Sequence, residues 1–198
     1  SVTRDDVPSN LDIILVNDGS TDSSLEIMQM YLKKRPDIVT IIDKPNGHYG
    51  SCINAGLSIA KGKYFRPLDA DDWFNTDALI KLVKKLEHTE ADLIITPRTE
   101  VTGQKKVFSI DIKENQLHQI EYLRNKDFKD VSGILSMHSM TYKLDLLKEH
   151  HLTLLEGVCY TDTEYFLIPL QYVKIFIYFN LELYQYRLGR EGQSVDAT

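Results

Sequence analysis

Three carboxylates fall within four residues at Asp69-Ala70-Asp71-Asp72, followed directly by Trp73. Like charges this close repel one another, and a divalent cation relieves the repulsion. Hard oxygen donors suit Mg²⁺ or Mn²⁺, which take one or two carboxylates and fill the remaining positions with water and phosphate oxygens. Without a ligand, the same residues read as a solvated acidic turn in which Asp72 or Thr76 caps the next helix.

Other polar clusters are spaced along the chain. Asp18, in Asn17-Asp18-Gly19-Ser20, ends an apolar run, where an acid can accept from the base or ribose donors of a nucleotide; the plainer reading is a turn with Thr21 or Asp22 as a helix cap. In Lys44 to Ser51, Asn46 and Gly47 precede a helix start, where small residues let the backbone approach a ligand, and Asn54 follows inside the helix. Neither GxxxxGK[ST] nor GxGxxG is present, which disfavours a Walker ATPase and a standard dinucleotide oxidoreductase. Asp162, in Thr161-Asp162-Thr163-Glu164-Tyr165, reads from the residues alone as a helix cap. Arg187 and Arg190, near Gln193 and Ser194, carry forked donors that suit phosphate, against the competing reading of a solvated tail. Trp73 reads either as the wall of a ligand pocket or as plain packing. His138, His150 and His151 read as helix-end or core residues ahead of metal contacts.

These groups need a scaffold. Asp12–Asn17 is a continuous apolar run feeding a helix at Ser23–Lys34, in which Leu25, Met28 and Leu32 share a face and Pro36 stops the pattern. Ile38–Ile42 predicts a second strand. A helix around Ile53 and Leu57 follows, closed by a left-handed cap at Gly62. Tyr64–Leu68 predicts a third strand, Thr76 caps a helix carrying Leu79, Val83 and Leu86, and Leu93–Thr96 predicts a fourth strand. This alternation predicts an α/β, doubly wound and mostly parallel sheet with helices on both faces. Ligands of such sheets settle at the carboxyl ends of the strands, where Asp18 and Asp69–Asp72 fall. Beyond residue 97 the pattern turns α+β. It has a hairpin over Glu100–Asp111 turning at Thr102-Gly103, a helix at Lys143–His150, a helix at Thr161–Tyr172 broken by Pro169, and two strands within Lys174–Tyr186.

Over 198 residues the chain carries 23 basic and 29 acidic side chains, a net charge of −6. That excludes holding nucleic acid or an anionic membrane by bulk electrostatics, so a phosphate ligand needs a local site. Cys52 and Cys159 show no CxxC spacing and read as reduced thiols. No apolar run reaches bilayer length, and Ser1–Asn10 lacks the order of a signal peptide.

Taken in order, LDIILVNDGSTDSS, KPNGHYGSCINAGLSIAKGKYFRPLDADDWF and TDALIKLV resemble family 2 glycosyltransferases of the GT-A fold, of the bacterial surface-glycan type, across residues 11–96. A looser likeness extends through SMTYKLDLLKEHHLTLLEGVCYTDTEYF and YQYRLGREGQS. The resemblance implies one glycosyltransferase domain over 1–198, with a nucleotide-sugar-binding half (11–96) and an acceptor-side half (97–198). It also implies a further strand and helix ahead of LDIILVND, which Ser1–Asn10 does not supply.

By the same resemblance, the reaction is inverting transfer of a sugar from a nucleotide-diphosphate donor, a UDP-sugar foremost, to a hydroxyl of a glycan or lipid-linked acceptor, with Mg²⁺ or Mn²⁺. Asp18 would meet the base or ribose. Asp69 and Asp71 would meet ribose and metal, and Asp72 the donor sugar or the metal shell. Asn46, Gly47, Asn54, Arg187 and Arg190 would contact the donor. Asp162 falls at the position of the catalytic base, although the acidic pair usual there is replaced by Thr161-Asp162. The QxxRW of processive synthases is absent, since the chain reads Gln185-Tyr186-Arg187-Leu188. The implied setting is the cytoplasm, peripherally at the inner membrane face, in surface-polysaccharide assembly. A sugar-nucleotide nucleotidyltransferase is the rival enzyme reading, opposed by the lack of Arg or Lys in NDGSTDSS. An inactive donor-binding domain is the non-enzymatic one.

Overall fold

The computed structural model describes residues 2–189. Along the chain run β1 (Ile13–Asp18), α1 (Ser24–Lys34), β2 (Val39–Lys44), α2 (His48–Ile59), β3 (Tyr64–Phe65), β4 (Trp73–Phe74), α3 (Thr76–Leu86) and β5 (Leu93–Ile95). There follow β6 (Arg98–Thr102), β7 (Gln104–Phe108), β8 (Leu117–Gln119), α4 (Glu121–Arg124), α5 (Phe128–Val131), β9 (Met140–Lys143), α6 (Leu144–Glu149), α7 (Asp162–Leu167), β10 (Ile175–Tyr178) and β11 (Tyr184–Arg187). Single 3-10 turns occupy Met137–Ser139 and Pro169–Gln171.

The strand and helix order expected through residue 96 is present, and the hairpin turns at Gly103 with φ 67°. On α1, Leu25, Met28 and Leu32 form the half-buried face, and Pro169 ends α7 as expected. Two caps differ. Asn75, not Thr76, caps α3: its side-chain oxygen accepts from Asp77 N at 3.1 Å and Ala78 N at 3.2 Å, leaving Thr76 buried in the first turn. The chain leaves α2 through Ala60 in extended geometry (ψ 137°), and Gly62 has no left-handed φ.

The ladders are mixed rather than mostly parallel. Parallel pairs join β1 to β2, β5 to β10, and β6 to β11. The second half of the chain is woven into the first: β9 runs antiparallel between β3 and β5, giving the order β3-β9-β5-β10-β8, while β11 sits between β4 and β6 in a sheet ordered β4-β11-β6-β7. Alternation of strands with helices predicts parallel neighbours only when consecutive strands lie side by side. Here a strand from more than forty residues downstream takes the intervening place. Strands from residues 97–189 thus interleave with those of residues 11–96.

The core beneath the site is aromatic. Tyr142, Tyr165 and Tyr184 are completely buried, and each spends its hydroxyl: Tyr142 on Phe166 O at 2.6 Å, Tyr165 on Phe65 O at 3.1 Å, Tyr184 on Asp72 at 2.7 Å. Buried phenols are stable only with such partners. The first two bonds pin α7 against β3 and β9, so the start of α7 is fixed relative to the strand that leads to Asp69. Replacing Asn75 by Ala is expected to cost about 1 kcal/mol by loss of the cap. An unchanged midpoint in urea unfolding would contradict that role.

Candidate active site

The acidic turn follows β3 and is held from the far end of the chain. Asp72 N donates to Asp69 O at 3.1 Å, closing the turn. The Tyr184 hydroxyl donates to Asp72 Oδ2 at 2.7 Å and accepts from Asp69 N at 3.2 Å, and Arg187 N donates to Asp72 Oδ1 at 2.8 Å. Both oxygens of Asp72 are thus tied to β11, and the Arg187 guanidinium lies over the Trp73 ring, 5.2 Å from its centroid. Trp73 is therefore partly engaged by Arg187 and pairs with Gln185 through β4. Arg190, Gln193 and Ser194 lie outside the described residues.

The charges strain against each other as the spacing requires. Burial pushes the Asp69 carboxyl up to about 7, with further upward pressure from Asp72, Asp71 and Asp162. Burial also raises Asp72, opposed by the Arg187 N–H and the Tyr184 hydroxyl. Asp162 stands at the first position of α7, partly buried, with Thr161 as the cap residue. It therefore does not fill the cap position expected from the residues alone, and its field reaches Asp69. Two carboxylates widely separated in sequence share one neighbourhood.

Asp69, Asp72 and His138 each offer a ligand atom, all within 4.8 Å of one another. A cation suits this donor set, because carboxylates forced together out of water need a counter-charge. Asp71 stands outside the trio but contributes to the field on Asp69. His138 is neutral: burial, with Arg98 and Arg66 nearby, lowers its imidazole to about 3. Arg66 lies beneath, donating to Thr141 Oγ1 at 2.8 Å, Thr96 Oγ1 at 3.1 Å and the His138 carbonyl. His138 was a weak candidate in the sequence because nothing local ties it to the turn; its placement depends on the segment before β9.

At the end of β1, Asp18 Oδ1 accepts from Gly47 N at 3.0 Å and from the Lys44 ammonium, which also donates to Ser51 Oγ at 2.7 Å. Burial opposes the charge on Asp18, but Lys44 and the Gly47 N–H outweigh it and hold the carboxyl below the usual range. Gly19 makes this turn possible. Its φ is +72°, and a Cβ there would lie 2.8 Å from Asn46 N, so the Asn17–Ser20 turn and the Asn46–Gly47 loop touch backbone to backbone. Helix α2 then spans the two clusters: Cys52 faces Asp18, while Tyr49 feels both Asp69 and Asp162 and donates to Met137 Sδ at 2.7 Å.

Asn54 does something the sequence did not suggest. Its amide donates to Leu154 O and to Glu156 Oε1, both at 2.9 Å, and its oxygen accepts from Leu154 N at 2.9 Å. Glu164 Oε2 accepts from Leu155 N at 2.8 Å, and Gly157 N donates to Gly47 O at 2.9 Å. A Cβ on Gly50 would collide with the Leu155 carbonyl. The loop leading to Asp162 is therefore strapped onto α2 and the Gly47 loop, and Asn54, Gly47 and Glu164 are committed to that strap. The bonds of Asn54 and Gly47 span about a hundred residues, which local pattern cannot reveal.

Carboxylates at and just beyond the carboxyl ends of β1 and β3, with a donor set suited to a divalent cation among them, fall where α/β sheets bind their ligands. Residues 1–150 match the family model described as glycosyl transferase family 2, and the chain belongs to that family. It is 41% identical over 76 residues to a chondroitin synthase of Pasteurella multocida, covering 38% of this chain and 8% of that protein. To glycosyltransferase GlyA of Streptococcus pneumoniae it is 26% identical over 195 residues, covering 93% of this chain and 27% of that protein. The chain thus spans about a quarter or less of the length of these relatives. Among solved structures, S. aureus TarS 1-349 in complex with UDP-GlcNAc aligns with a TM-score of 0.78 at 18% identity, over 100% of this chain and 55% of that one. Mannosyltransferase PcManGT of Pyrobaculum calidifontis, in complex with GDP-Man and Mn²⁺, aligns at 0.61 with 17% identity, over 94% and 51%. The fold is GT-A. No helix among the described residues is long and apolar enough to cross a membrane.

Two predictions arise. A carboxyl whose pKa is raised on folding makes the folded state bind more protons than the unfolded one, so stability falls as pH rises between the two values. Metal-free protein should lose stability from about pH 4 to about 7 through Asp69. Asp69→Asn should flatten that slope, and urea unfolding across pH in EDTA that shows no difference would contradict it. Asn54→Ala should destabilise by about 1–3 kcal/mol, because it strands buried backbone groups of Leu154. It should also speed proteolysis between residues 153 and 159, and unchanged cleavage would refute the strap.

Proposed function

We propose that the chain transfers a sugar, with inversion, from a nucleotide-diphosphate donor to an acceptor hydroxyl. The carrying observation is that Asp162 and the Asp69–Asp72 turn share one electrostatic neighbourhood, although α7 and β3 are far apart in sequence. A departing nucleotide diphosphate needs its charge stabilised, and an attacking hydroxyl needs its proton removed. The Asp69–Asp72 turn serves the first need by holding Mg²⁺ or Mn²⁺. When bound, that cation neutralises charge on the leaving pyrophosphate.

The rest falls to the chain itself. Asp162 is partly buried at the start of a helix whose other residues are pinned by Tyr165 and Tyr142. Its carboxylate takes the acceptor proton. Asp18 is kept ionised by Lys44 and Gly47, and it accepts hydrogen bonds from the base or ribose. Asn46 and Gly47 border that pocket, and Arg187, poised over Trp73, reaches the pyrophosphate, joined by Arg190. Asp71 and Asp69 face ribose and cation, and Asp72 holds the turn to β11.

A UDP-sugar is the donor proposed, consistent with the UDP-GlcNAc in the TarS complex. A glycan or lipid-linked glycan is the acceptor proposed, in surface-polysaccharide assembly at the cytoplasmic face of a membrane, with the whole domain (1–198) as the working unit. Asp162→Asn should lower transfer by roughly 10²–10⁴-fold with unfolding unchanged, and the product should carry the anomeric configuration opposite to the donor's. Wild-type turnover in the variant, or a retained configuration, would overturn the reading. Donor binding with neither transfer nor donor hydrolysis in wild type would mark an inactive binding domain.

A further inference from the structure

We propose that His138 supplies a nitrogen ligand to the cation held at the Asp69–Asp72 turn. The inference rests on the reading that a cation sits there, and adds a ligand that the acidic motif does not contain. A ring nitrogen of His138 lies within 4.8 Å of carboxylate oxygens on Asp69 and Asp72. The ring is held by its neighbours' rings. It stacks on Tyr186 with centroids 4.4 Å apart and an interplanar angle of 28°, and meets Tyr184 edge-on at 4.7 Å. Its backbone carbonyl is fixed by Arg66.

Nδ1 is buried with no hydrogen-bond partner. A buried ring nitrogen left unpaired is costly and calls for an explanation. Coordination supplies one for this ring, since the ion engages one nitrogen and fixes the tautomer at the other. Tyr184 ties the arrangement together, because one side chain hydrogen-bonds Asp72, accepts from Asp69 N and packs against the His138 ring. The three donor atoms are thus positioned by a common support from β11, whether or not the cation is present.

The ligand set has a chemical consequence. Imidazole favours Mn²⁺ and other transition ions over Mg²⁺, which prefers an all-oxygen octahedron. His138 should therefore make the site discriminate for Mn²⁺. The test uses Mn²⁺ alone with the full chain and reads pulsed electron paramagnetic resonance. Wild-type protein should show nitrogen coupling to Mn²⁺ that changes when histidine is ¹⁵N-labelled.

In calorimetry, His138→Ala should bind Mn²⁺ more than about tenfold more weakly while Mg²⁺ binding changes little. His138→Gln, which keeps a polar side chain of moderate size, guards against a folding failure, and melts in EDTA check both variants. Bound Mn²⁺ without histidine nitrogen coupling overturns this inference and leaves the cation reading standing. Failure of wild-type protein to bind Mn²⁺ at all overturns both.

Discussion

Asp69 is largely withdrawn from water while Asp71, Asp72 and Asp162 bear on it electrostatically, and holding those like charges together is the constraint around which the molecule is arranged. Left alone, the turn would open to solvent. It is kept closed by a strand from the other end of the chain: Tyr184 and the backbone of Arg187 occupy both oxygens of Asp72, and β11 is in turn inserted between β4 and β6. The antiparallel insertion of β9 does similar work on the other side, bringing His138 and the Arg66 contact under the turn. The interleaving of the two halves is thus the structural counterpart of the charge cluster.

Asp162 reaches the same place by a separate set of bonds. Tyr165 and Tyr142 fix α7 to β3 and β9 through backbone carbonyls, and the strap of Asn54, Glu164 and Gly157 fixes the loop before it. Because α2 carries the Asn54 end of that strap and also carries Cys52 and Tyr49, which face Asp18 and the Asp69–Asp162 region, one helix coordinates the Asp18 end, the acidic turn and the loop before the candidate base. With a net charge of −6, the chain would have to meet the proposed phosphate-bearing donor through local charges.

What could be read from the sequence divides along the range of the forces involved. Strands and helices through residue 96 follow from local apolar periodicity, and the turns carrying Asp18 and Asp69 follow from short patterns of turn residues; both are present in the structure, whereas Asp162 stands one residue inside α7 and not at its cap. The Asn75 cap was mistaken by one residue because Asn and Thr are both good caps and only backbone geometry separates them. The mixed ladders, the commitment of Asn54 to the strap and the approach of His138 to Asp69 all depend on contacts between segments more than forty residues apart in the chain. Nothing within a window of the chain encodes which distant strand will fill a gap in a sheet, so these features appear only once the tertiary fold is in hand.

The central claim is that one cation and one nucleotide diphosphate share the edge formed by Asp18 and the Asp69–Asp72 turn. Titration of UDP into the full chain with and without Mn²⁺ tests it most directly, because a shared site makes the two ligands reciprocally coupled. UDP should bind at least about tenfold more tightly with Mn²⁺ present, a coupling of about 1.4 kcal/mol, and Mn²⁺ should gain equally from UDP. Identical UDP affinity in Mn²⁺ and in EDTA would contradict the account.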